Sequence, residues 1–204
     1  NIKTLQRYGL TAASTYGIID NLTMSYAGNQ LTKAEDAVAT ISLAESADFK
    51  NYSNVATEYT YNKNGALSKD LNKGISVIEY NSLNLPRQMD IKSPVGEGRN
   101  KYTYSAGGVK LKVEQRWNPN YSTAPVIGSG ITESALTKTE TTDYVGNIIY
   151  ESHSDGTSKI RILVDGGYIE NNVYYFYQND HLGNNRVVAN ASGIVTQKNH
   201  YYPF

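Results

Sequence analysis

Two tyrosines spaced i and i+2, a short polar turn, a glycine and then an aliphatic residue form a unit that recurs along the chain and restricts what it can fold into. It reads Tyr59-Thr60-Tyr61-Asn62-Lys63-Asn64-Gly65-Ala66-Leu67 and returns as Tyr102-Thr103-Tyr104-Ser105-Ala106-Gly107-Gly108-Val109, with Leu111 shortly after. Looser copies are Met24-Ser25-Tyr26-Ala27-Gly28-Asn29-Gln30-Leu31, Asp143-Tyr144-Val145-Gly146-Asn147-Ile148, and Tyr175-Phe176-Tyr177 leading to Leu182-Gly183-Asn184. Residues i and i+2 share a face on a strand, and Gly or Asn between such runs supplies the positive-φ positions of a tight reversal. Each copy therefore reads as strand, turn, strand, with Tyr59 and Tyr61 on one face. The 18 tyrosines and 17 glycines suit half-buried pleated surfaces joined by turns.

Further alternation places Ile75, Val77 and Glu79 on one strand face, Val109, Leu111 and Val113 on another, and Ile160, Ile162 and Val164 on a third. About ten to fourteen short strands are expected, with little room for helix. Two stretches interrupt the pattern. Residues 35–54, rich in Ala, Ser and acidic side chains, read as a loop with at most one helical turn, and residues 118–142, with Pro119, Pro125, Gly128 and Gly130, read as a surface excursion. The expected organisation is an all-β chain of antiparallel hairpins forming a twisted ribbon, with a repeat region over 1–142 and a distinct segment over 143–204.

The repeat unit resembles the YD repeats of the rearrangement-hotspot (RHS) family. A denser match is the run Tyr174-Tyr175-Phe176-Tyr177-Gln178-Asn179-Asp180-His181-Leu182-Gly183-Asn184-Asn185-Arg186-Val187-Val188, followed by Tyr201-Tyr202-Pro203-Phe204. It is similar to the RHS-associated core, with its YxxDHLGxxR element and a later Tyr-Pro-Phe element. Asp70-Leu71-Asn72-Lys73-Gly74-Ile75 and Tyr80-Asn81-Ser82-Leu83-Asn84-Leu85-Pro86 look like the Bacteroidetes-type version. The resemblance implies a piece of a large secreted or surface bacterial protein, related to the C components of Tc toxins and to the teneurins. In such relatives the ribbon spirals into a hollow shell that often encloses a variable C-terminal toxin domain. It also implies structural roles for Tyr59, Tyr61, Gly65, Leu67, Tyr102, Tyr104, Asp180, His181, Leu182, Gly183, Arg186, Tyr202, Pro203 and Phe204. The chain is expected to be a fragment of a longer polypeptide.

Chemistry-bearing patterns are sparse. Lys plus Arg equal Asp plus Glu at 19 each, so no net field attracts nucleic acid. No apolar run is long enough for a membrane-spanning helix. Without cysteine there is no disulfide, thiolate nucleophile or thiolate-held metal. His153, His181 and His200 have no zinc-binding spacing, and neither a phosphate-cradling glycine motif nor a serine nucleophile elbow is present. Asp180 beside His181 can be drawn as a carboxylate-oriented base, but neighbours in a strand or turn point apart. The expectation is no catalytic residue, no cofactor and no metal. Trp117, preceding Asn118-Pro119, is the best candidate for an exposed aromatic contact to a glycan or receptor; otherwise it staples its loop.

The function expected is that of a wall segment, its partners being the rest of the polypeptide and an enclosed domain. The alternative is a carbohydrate- or receptor-binding adhesion module. The open edges of an isolated ribbon lead us to expect edge-to-edge self-association or closure of the sheet on itself.

Overall fold

The structure, a computed structural model, describes residues 1–43, 46, 48–121 and 129–201. Among the described residues it is nearly all β, with 57% strand and 4% helix. The chain divides into two compact units, one of residues 1–101 and 115–138, the other of 102–114 and 139–204.

In the first unit, β1 (Thr4–Ala12), β2 (Thr15–Ala27) and β3 (Gln30–Asp36) make an antiparallel sheet. An irregular segment from Ala37 onward leads to a second ladder of β4 (Tyr59–Tyr61), β5 (Leu67–Asp70), β6 (Ile75–Tyr80), β7 (Pro86–Ser93) and the first part of β8 (Gly96–Tyr104). The end of β9 (Lys110–Trp117) also belongs here. Among the described residues, Ile19, Leu22, Ala34, Tyr59, Leu71, Ile78 and Leu136 are its buried apolar ones. They are outnumbered by ten buried polar ones, including Asp20, Asp48, Glu58, Asp70, Asn72, Asp90 and Glu97. An interior of this kind depends on hydrogen bonds being made, because each unmade one costs about 1–3 kcal/mol.

Within β6 the expected alternation fails. A register shift between Ile75 and Val77 turns the strand, so Ile78 is buried and Val77 exposed. A β-bulge adds a residue without changing composition, so a period-2 reading slips there.

The second unit contains the outer half of the β8–β9 hairpin and seven strands in consecutive order. These are β10 (Lys138–Val145), β11 (Ile148–Ser152), β12 (Ser158–Val164), β13 (Gly167–Glu170), β14 (Val173–Asn179), β15 (Asn185–Asn190) and β16 (Val195–Lys198). Residues 138–142, expected in the excursion, begin β10, where a Thr-rich stretch pairs with β11. The described residues give sixteen strands, more than expected, because Asp165-Gly166 and Asn171-Asn172 fold as two-residue turns and cut 158–179 into three.

Register assigns the faces of this unit. Tyr150, Ile160, Ile148, Ile162, Ile169, Tyr174 and Phe176 follow one another across one face. The opposite face carries Glu151, Arg161, Glu170, Tyr168, Tyr175 and Tyr177. There Arg161 donates to Glu170 (2.9 Å) and lies over the Tyr168 ring, which stacks on Tyr175 at 4.7 Å. Val188 is the buried apolar residue here among those described. Cross-strand pairs therefore stabilise this unit, at about 0.2–1 kcal/mol each.

Six hairpins among the described residues close with one turn. At Asn62 the amide donates to the carbonyl of Ala66, that of Gly65 donates back to the carbonyl of Asn62, and Oδ1 accepts the amides of Asn64 and Ala66. The same backbone pair recurs from Asn81, Ser105, His153, Asp180 and Asn190. The fourth residue is left-handed each time, from φ 57° at Asn84 to 86° at Gly156. The looser copies at Tyr26 and Tyr144 instead use two-residue turns with Gly28 and Gly146 at positive φ, which need no side-chain acceptor.

Two glycines separate conformational from steric demand. Gly193 has φ 78° and open space where a Cβ would sit, whereas at Gly167 a Cβ would lie 1.9 Å from the carbonyl oxygen of Tyr175. Gly193→Ala is expected to cost about 1 kcal/mol and Gly167→Ala about 3 kcal/mol. Chemical denaturation of the two variants checks the order.

Candidate functional site

The DHLG element is built on the last but one of these turns. Asp180 Oδ1 accepts the amides of Leu182 and Asn184, both at 3.0 Å, and Oδ2 accepts Asn184 Nδ2 at 3.2 Å. Slight desolvation pushes its carboxyl up, but these bonds and the charge of Arg186 outweigh it and hold it below the usual carboxylate range. Gly183 takes the left-handed position at φ 83°, and His181 and Leu182 are exposed. Arg186 lies over the Tyr201 ring at 5.5 Å. Asp180 thus does what Asn62 does in the first repeat: its carboxylate is spent on backbone amides. Tyr202, Pro203 and Phe204 lie outside the described residues.

The tyrosine before a turn has a second task in the first unit. Tyr61 Oη donates to the carbonyl of Leu31 (3.0 Å), and Tyr80 Oη to that of Leu67 (2.6 Å). Leu31 and Leu67 are the aliphatic residues that close the preceding unit, so each hydroxyl fastens one hairpin to the one before. Tyr26 Oη reaches the carbonyl of Ile2 (2.7 Å). Tyr102 and Tyr104 are half-buried on β8, alternating with exposed Lys101 and Thr103.

Tyr59 belongs to a buried network. Asn72 Nδ2 reaches Tyr59 Oη (3.0 Å) and Glu58 Oε2 (2.8 Å), and Glu58 Oε2 also accepts the Ala34 amide (3.0 Å). Glu58 Oε1 is buried and lacks a hydrogen-bond partner among the described residues. Burial raises the Glu58 carboxyl and pushes the Tyr59 hydroxyl up to about 12. Asp70, capping the 3-10 turn Leu71–Lys73 through the Lys73 amide (3.1 Å), is also raised by burial.

A second buried carboxylate has every partner it needs. Glu97 accepts Lys92 Nζ (3.2 Å), the Thr132 amide (2.6 Å) and Asn118 Nδ2 (3.1 Å). Burial works to raise it, and these donors prevail and hold it below its ordinary range. Arg99 binds Asp90 and Glu133, and Arg116 binds Glu133, so the segment around Glu133 is tied to the sheet. Trp117 ends β9, half-buried, with Gly98 opposite: a Cβ on Gly98 would come within 3.4 Å of that of Trp117.

One cluster has ligating potential among the described residues. Asp20, Asp36 and Asp48 each bring a carboxylate oxygen within 4.8 Å of the others'. They are 16 and 12 residues apart and match no metal-binding motif, so spacing gives no signal of them. No described helix is long and apolar enough to cross a membrane. No protein-family model matches the chain, and no curated protein does.

Two outcomes follow from this geometry. Asp180→Asn keeps the accepting oxygen and is expected to be near neutral, Asp180→Ala to lower the unfolding midpoint by about 2–4 °C, and His181→Ala to move it by under about 1 °C; thermal unfolding of the three checks this. For Glu58 and Asp70, folding raises the proton affinity. Their stabilising contribution is fully present below the unfolded carboxylate range and is lost as the pH rises through the folded values. Glu58→Gln is therefore expected to flatten the fall of the unfolding midpoint between about pH 4 and pH 8, measured as a pH series of thermal melts.

Proposed function

We propose that the chain is a non-enzymatic wall segment of an RHS/YD-repeat protein, secreted or displayed at a bacterial cell surface. In this reading its antiparallel ribbon is part of a β-shell that encloses or presents a variable C-terminal domain. The observation that carries the reading is the shared turn. Asn62, Ser105 and Asp180 occupy one position in it, so the repeat units and the DHLG element are variants of one structural device. A reactive Asp–His pair would leave the carboxylate free to face the imidazole, and Asp180 is instead committed to amides and Asn184. Sequestration by a wall needs no reacting group, and its stiffness comes from ladders, turns and tyrosine staples.

A second reading, adhesion to a glycan or receptor, draws on the exposed, stacked pair Tyr174 and Phe176, 5.4 Å apart. Flat exposed aromatics suit the apolar faces of sugar rings, and Trp117 is the further candidate contact.

The test is electron microscopy of the native polypeptide that carries this segment, with a glycan array and a hydrolase panel run on the segment. The wall reading expects a closed β-walled chamber, no turnover and no glycan signal. An open assembly with a specific glycan signal that Phe176→Ala or Trp117→Ala removes would replace it with the adhesion reading.

A further inference from the structure

We propose that Asp20, Asp36 and Asp48 form a binding site for a hard divalent cation of the calcium type. The three carboxylates come from β2, from the end of β3 and from the irregular segment after it, and an oxygen of each lies within 4.8 Å of the others'. Asp20 is 0% exposed and Asp48 4%.

Their existing bonds leave a ligand to be supplied. Asp20 Oδ1 accepts the Phe49 amide (2.8 Å), and Oδ2 takes the Arg7 guanidinium. Asp36 Oδ1 accepts the amides of Asn21 (2.8 Å) and Val38 (2.9 Å), both bonds falling on that one oxygen. Asp48 Oδ2 accepts the Ile41 amide and Lys50 Nζ, each at 3.1 Å. Its Oδ1 is buried and has no hydrogen-bond partner among the described residues. A carboxylate oxygen stripped of water with nothing in return is costly, and a cation restores what it lost.

Charge and donor type decide what fits. Among the described residues, three carboxylates meet two cationic side chains, Arg7 and Lys50, which leaves an excess negative charge among them in a shielded place. All the donors are oxygens, the preference of calcium, and the chain has no cysteine to favour a softer metal. Lys50 is the natural competitor. Its ammonium rests on Asp48 Oδ2 and on the Ile41 carbonyl (3.3 Å), two oxygens a cation would use, and its side chain is 41% exposed. An entering cation displaces that ammonium to solvent and gains both oxygens.

Isothermal titration of the 204-residue chain with calcium chloride tests the site. Saturable binding at one site is expected, with a Kd within the range of about 10⁻⁵ to 10⁻³ M. Lys50→Gln should tighten it at least about threefold and Asp48→Asn weaken it at least about tenfold. Asp36→Asn, at a half-buried position, carries the same expectation as Asp48→Asn, and far-UV circular dichroism identifies which variants fold. No saturable binding by the natural chain and Lys50→Gln, or binding unchanged by Lys50→Gln or by a folded Asp variant, overturns the proposal.

Discussion

A single side-chain oxygen accepting two amides of its own turn sets four of the described hairpins. The reversal needs a left-handed fourth residue, which glycine or asparagine supplies, and it leaves inward-facing amides that the strands cannot satisfy. Asn62, Asn81, Asp180 and Asn190 satisfy them with Oδ1, Ser105 accepts one with Oγ, and in the His153 turn Asp155 accepts the Thr157 amide. Once the turn is set, the register of the strands on either side follows, and with register comes the assignment of side chains to faces.

The two units use this device against different backgrounds. In the first, buried carboxylates and amides join hairpins that apolar contacts alone would hold loosely, and tyrosine hydroxyls cross from one hairpin to the carbonyls of the one before. In the second, the described residues bury little apolar surface, and ion pairs, aromatic stacking and β-branched neighbours do the work. The interior carboxylates of the first unit also pull in opposite directions with pH: Glu58 and Asp70 favour folding when protonated, while Glu97, surrounded by donors, favours it when ionised.

Much of the fold was legible because its signals are local. Tyrosine spacing, Asn-Gly and Gly-Asn turns and aliphatic alternation each report on neighbours within a few residues. The equivalence of Asn62, Ser105 and Asp180 could also be read, since each follows a strand and precedes a glycine by three positions. What escaped depends on distant partners. The bulge that turns Ile78 inward, the partnering of Glu58 with Asn72, and the fixing of Glu97 by Asn118 and Thr132 are absent from any short window. Trp117, expected as an exposed aromatic contact or a loop staple, is the half-buried last residue of a strand, beside Gly98. The convergence of Asp20, Asp36 and Asp48 likewise requires β2 and β3 to be paired before it can be seen.

Within each ladder, strands pair with their immediate successors in the chain, and the six shared turns each span five residues. Contacts of such short sequence separation cost little loop entropy to make, and only the pairing of β9 with β10 spans a long connection in the longer ladder. A chain with this connectivity can acquire structure one hairpin at a time as it emerges from a ribosome or a narrow export channel. The same property makes length adjustable: removing or duplicating one hairpin disturbs its two neighbours and leaves the remaining pairings as they were.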